Sequence, residues 1–75
     1  MKVTILNPKH VIYDGRAASV FLQGDRGEFE ILDFHAPIVS LLREGEVVID
    51  RKEKVPVKKG MVRFHDNECM ILVEE

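Results

Sequence analysis

A single cysteine, Cys69, is all the thiol this chain carries, so no disulfide can close within it. That usage suits a reducing compartment. Long apolar runs are absent too. The opening "MKVTILNPKHV" lacks the apolar core of a signal peptide. Nothing approaches the roughly 20 apolar residues that a membrane-spanning helix needs. Neither sign of charge dominates: 11 Lys and Arg face 13 Asp and Glu, for a net charge of −2 and a pI of ≈ 5.9. Such a balance gives no general attraction to nucleic acid or anionic lipid. Linkers, repeats and low-complexity stretches are also missing. The 75 residues therefore predict one soluble, cytoplasmic domain spanning 1–75. A chain of this size buries only about 60% of its unfolded surface, which leaves modest stability and favours a partner.

What is present is apolar alternation with period two, the pattern of half-buried strands. "EVVID" and "KVPVK" alternate around Val47, Ile49, Val55 and Val57. In "GMVRFH", Val62 and Phe64 fall on one face, with Met61, Arg63 and His65 on the other. In "ECMILVE", Met70 and Leu72 are expected inward, with Cys69, Ile71 and Val73 opposite. Turn sequences recur at "NPK", Asp14–Gly15, "GDRG", "REG", "DRKE", "KKG" and "HDNE". Spacings of roughly 8–12 residues between turns predict an all-β fold, a small β-sandwich of two packed sheets with about nine or ten short strands. The first strand is read over Lys2–Leu6, and Ile38–Leu42 is read as a strand rather than a short helix. The expected core is Val3 or Ile5, Val11, Tyr13, Val20, Leu22, Phe29, Ile31, Val39 or Leu41, Val47, Ile49, Val62, Phe64, Met70 and Leu72.

The chemical readings are sparse. Cys69 has His65 and Asp66 near it in sequence, but "HDNE" reads as a hairpin turn, and a free strand cysteine is usually a small hydrophobe. His10, His35 and His65 lie far apart without paired ligand spacing, so no metal site is expected. Glu28 and Glu30 share a strand face without a cleft to make an acid–base pair of them. "GDRGEF" lacks the Lys-Ser/Thr ending of a phosphate loop. "DRKEKVPVKK" is basic but has no interleaved aromatics, so it reads as a solvated hairpin whose lysines guard a sheet edge. No catalytic residue and no cofactor is expected. What stands out is "RGEFEILDFHAPIV", Arg26–Val39, where Glu28, Glu30 and Asp33 have no obvious partner nearby in sequence.

The same stretch carries a resemblance. "SVFLQGDRGEFEIL", then "HAPIVSLLREGEVVI", then "VKKGMVRFHDNECMILVEE" run in register with the N-terminal β-sandwich domain of the epsilon subunit family of F-type ATP synthase, called delta in mitochondria. The likeness covers the whole chain, and "GEF.IL..HAP" is its most specific part. Three positions depart from the family pattern. Glu30 stands where the family usually has Gly, Asp33–Phe34 where it has Pro-Gly, and Lys59 where it has the first of two glycines. The family usually continues into a two-helix hairpin that carries inhibition and, in some members, nucleotide binding; this sequence stops at Glu75. The resemblance therefore implies coupling and assembly without inhibition or ATP sensing. It implies a non-catalytic subunit at the foot of the central stalk, with the gamma subunit and the c-ring as partners. The location implied is peripheral, on the cytoplasmic face of a bacterial inner membrane, with the membrane reached only through the complex. Carried over residue by residue, Glu28, Phe29, Glu30 and Ile31 face the c-ring, with Glu28 as the main charged contact. His35, Ala36 and Ser40 face gamma. Phe29 is read two ways, as an apolar anchor or as core. The isolated domain is expected to be a monomer. The competing readings are a free-standing β-sandwich adaptor that binds through its edges and a small ligand-binding domain.

Overall fold

The computed structural model describes residues 1–74. Nine strands follow one another: β1 (Lys2–Leu6), β2 (Val11–Arg16), β3 (Ser19–Gly24), β4 (Gly27–Leu32), β5 (Ile38–Leu42), β6 (Gly45–Ile49), β7 (Glu53–Val57), β8 (Lys59–His65) and β9 (Glu68–Glu74). Among the described residues there is no helix, and so none long and apolar enough to cross a membrane.

One layer runs β2-β1-β9-β8-β5 and the other β4-β3-β6-β7. Their strand ladders join at a single corner, where Leu42 at the end of β5 pairs with Gly24 of β3. The Arg43 and Asp25 amides reinforce that corner by donating to the Gln23 and Leu41 carbonyls. The expected small β-sandwich is present, its two layers joined at that corner into one curled sheet over a shared core. All neighbours are antiparallel except β1 and β9, which run parallel.

Turn chemistry fixes the register. Asp66 and Asn67, both at positive φ (50° and 56°), form the two-residue link between β8 and β9 that twisted hairpins favour. Asp50 and Arg51 likewise carry positive φ between β6 and β7. The Asp50 carboxylate accepts from the Ala18 and Ser19 amides at 2.7 and 3.1 Å, tying that turn to the start of β3. The Asn7 side chain accepts from Lys9 and His10, both at 2.8 Å, and so builds the bend expected at "NPK".

The core is formed by Val3, Ile5, Val20, Leu22, Ile31, Val47, Ile49, Val62, Phe64, Cys69 and Ile71, all essentially without exposed surface. β9 corrects the sequence reading. Cys69, Ile71 and Val73 point inward, while Met70 and Leu72 are 37% and 41% exposed. Both faces of this strand are apolar, so alternation alone does not choose between them. Pairing does: Cys69 lies beside Val3 and Phe64, and Ile71 beside Ile5 and Val62, all of them buried. Val11, Val39 and Leu41, also expected inward, are exposed, and Tyr13 is only half-buried. Asp14–Gly15 is no turn either, because both residues continue β2 opposite Thr4 and Val3. The Tyr13 hydroxyl lies 3.0 Å from where a Cβ on Gly15 would stand. The glycine gives the ring its room, as an aromatic covers a glycine in other sheets.

Candidate functional site

The departure-rich stretch is the outer edge of one layer and its crossing to the other. β4 pairs only with β3, and along it the phase is clear. Phe29 and Ile31 face inward, and Glu28 and Glu30 face outward. Ile31 has no exposed surface and Phe29 packs half-buried against the core, so Phe29 follows the core reading. Ile31 supports β4 from beneath and offers no side-chain surface to a partner. Glu28 is exposed, and its only polar contact within the described residues is the Gln23 amide at 3.4 Å. Glu30 has found a partner in Arg51, 3.7 Å away in the β6–β7 turn. Asp33 pairs with the α-amino group of Met1. Of the three carboxylates, only Glu28 faces no cation among the described residues.

Leu32–His35 is a tight turn, closed by the His35 amide donating to the Leu32 carbonyl at 3.1 Å. Of its two central residues only Phe34 has positive φ, 62°, as in a type II turn. That conformation suits glycine and costs an L-residue roughly 1–2 kcal/mol. The Pro-Gly geometry of the resembling family is thus kept here by Asp33–Phe34. Neighbours hold it: the Phe34 amide donates to Asn67 Oδ1 at 2.8 Å, and the Asp33 amide to the Ala18 carbonyl at 3.2 Å. The Phe34 side chain is 83% exposed. His35 Nδ1 lies 2.6 Å from the Ala36 carbonyl, which can only accept, so Nδ1 is the donor in this contact. The His35 ring stands edge-on to buried Phe64, 6.0 Å between centroids at 89°. Ala36 is exposed. Ser40 donates to the Leu41 carbonyl at 3.1 Å. The candidate residues therefore form two groups on two layers, joined by this turn, and among the described residues none of them lines the main grooves.

Sequence reasoning missed a second surface. On the outer face of the first layer, Val11, Leu6, Leu72, Met61 and Leu41 lie directly opposite one another across β2, β1, β9, β8 and β5. Part of this row lines a groove of ≈ 420 Å³ with Pro8 and Gly60. The signal was present, since β9 is apolar on both faces.

The chemistry available is slight. Burial pushes the Cys69 thiol up to about 12, which leaves it without the thiolate a nucleophile requires. His65 contacts Asp66 at 3.1 Å on the surface, away from that thiol's buried face. Among the described residues, no three His, Cys, Asp or Glu side chains gather as metal ligands.

Residues 1–75 match the family model for the ATP synthase delta/epsilon chain β-sandwich domain. The ATP synthase epsilon chains of Sulfurimonas denitrificans and Nitratiruptor are 37% and 35% identical over 78 residues, covering 99% of this chain. The chain spans 60% of the length of each. Among solved structures, a chain of the Tetrahymena thermophila mitochondrial ATP synthase central stalk and c-ring superposes with a TM-score of 0.80 at 21% identity, covering 99% of this chain and 63% of that one. A chain of the Euglena gracilis mitochondrial ATP synthase gives 0.81 at 22%, covering 97% and 49%. At these identities the structural likeness speaks for the fold.

Proposed function

This chain belongs to the ATP synthase delta/epsilon β-sandwich family, and from that premise we propose that it is a non-catalytic element of a rotary central stalk. It links the gamma subunit to the c-ring, so that ion-driven rotation reaches the catalytic head. It is peripheral, held at the cytoplasmic face of a bacterial inner membrane by its complex rather than by lipid. The observation that carries this reading is the family match over residues 1–75, the whole length of the sequence. The surface is compatible with it. β4 and the 32–35 turn offer an exposed carboxylate without a cation, an exposed aromatic and a fixed imidazole, a mixture that suits contact between proteins. Glu28 and the outward edge of β4 meet the polar loops of the c-ring, with Phe29 and Ile31 shaping that edge from inside and Glu30 held by Arg51. His35, Ala36 and Ser40 meet gamma. Coupling is the role proposed for these residues.

Site-directed crosslinking in the assembled enzyme tests this two-sided placement. Cys69 is buried and stays silent, so a single introduced thiol reports alone. Glu28→Cys should crosslink to a cysteine in the c-ring loop, and His35→Cys to one in gamma. Crosslinks from both positions to one subunit, or from neither, would sink the assignment.

A further inference from the structure

Phe34 is the outlier of the surface. It is the most exposed of the large apolar side chains, and it occupies a backbone conformation that favours glycine. Nothing within the described chain compensates by covering the ring. Yet the turn that displays it is pinned on every side. Asn67 Oδ1 holds its amide, the Ala18 carbonyl holds the amide before it, and the next residue, His35, stands against Phe64. Asn67 is itself fixed. It sits at φ 56°, a conformation asparagine tolerates, and its carbonyl accepts from the Lys2 amide at 3.1 Å. One residue on the β8–β9 turn thereby ties β1 through its carbonyl and the 32–35 turn through its side chain. A strained residue held by its surroundings marks a place where the strain serves something outside the fold. An aromatic carried on a backbone fixed in advance loses less freedom on docking than one on a loose loop, which favours its use as an anchor.

We propose that Phe34 is an apolar anchor that inserts into a recess on the gamma subunit, and that Asn67 is the positioning residue that holds it ready. The occupant follows from continuity. Phe34 shares its turn with His35 and Ala36, which carry the gamma-facing surface in the reading above, and the inference rests on that reading.

The test measures the dissociation constant of the full chain for the gamma subunit of its host, together with the chain's thermal midpoint. Phe34→Gly should weaken binding by roughly tenfold or more, while the midpoint stays level or rises because the turn now carries the residue it favours. Phe34→Leu should keep most of the affinity. Asn67→Gly retains the left-handed turn but removes the acceptor. It should weaken binding several-fold beside Phe34 and change it by less than about twofold beside Phe34→Gly, because the two residues act as one unit. Asn67→Asp, which keeps the acceptor, should restore affinity. Phe34→Gly binding as tightly as the parent would overturn the anchor. So would a large fall in its midpoint, since residue 34 would then be holding the fold. Independent, additive losses would overturn the role of Asn67. A parent chain that binds no gamma subunit at all would instead remove the central-stalk reading, and the anchor with it.

Discussion

Replacing Ile71 with alanine separates the observed face of β9 from its alternative. Ile71 has no exposed surface and lies opposite Ile5 on one side and Val62 on the other. Truncating a buried isoleucine to alanine costs about 2–5 kcal/mol, from lost transfer free energy and the cavity left behind. A chain of this length has only about 4–11 kcal/mol in total, at roughly 0.05–0.15 per residue. The single change therefore removes a large share of the stability. In a domain this small each kcal/mol moves the thermal midpoint by roughly 4–8 °C, so a fall of about 8–40 °C is expected. Leu72→Ala, one residue along, removes a side chain that is 41% exposed on the outer face and should cost less than about 1 kcal/mol. Urea titrations of both variants, followed by far-ultraviolet circular dichroism, supply the comparison. If Leu72→Ala proves the more damaging, β9 faces the other way. The pairing of Cys69 and Ile71 with β1 and β8 would then be wrong as well.

Other outcomes follow from single residues. Gly60→Ala should destabilise by about 1–3 kcal/mol, since a Cβ there would run into the Leu72 carbonyl oxygen of the neighbouring strand; thermal melts read this directly. Glu28→Lys should leave the midpoint within a few degrees, because Glu28 is exposed and its one polar contact among the described residues is with Gln23, while lowering ATP-driven ion pumping in membrane vesicles. A variant that unfolds instead would make Glu28 structural. Alkaline pH gives a third. The Cys69 thiol ionises near 9.0 when unfolded, and burial pushes it up to about 12 in the fold. Its contribution is therefore complete below pH ~9 and lost as pH rises toward ~12, at about 1.4 kcal/mol per unit, or roughly 4 kcal/mol in all. Tyr13, raised by burial and then by Glu53 and Asp50, works in the same sense. Cys69→Ala should flatten the fall measured by denaturant titration between pH 9 and 12, and an unchanged slope would contradict the assignment.

Strands were legible wherever polar and apolar residues alternate cleanly. Val62 and Phe64 of β8, and Val47 and Ile49 of β6, face inward as their phase requires. Turns were legible where asparagine and aspartate take left-handed φ, as at Asp66–Asn67. The phase of β9 was not, because both its faces are apolar and only non-local pairing selects one. Asp14–Gly15 misled for a related reason. Local turn propensity gave way to a ladder with β1 and to the space Tyr13 needs. At the candidate surface, the outward phase of Glu28 was readable from the strand pattern. The partners of Glu30 and Asp33 were not, since Arg51 and the Met1 amine come close only through the curled sheet. The tie from Asn67 to Phe34 spans 33 residues and belongs to the same class. The outer apolar row needed five strands in register before it became a row.

Co-expression of this chain with the gamma subunit of its host, followed by affinity purification through a tag on either partner, tests the central-stalk role most directly. The account predicts a stoichiometric complex that survives gel filtration. Two separate species, even at high concentration, would contradict it.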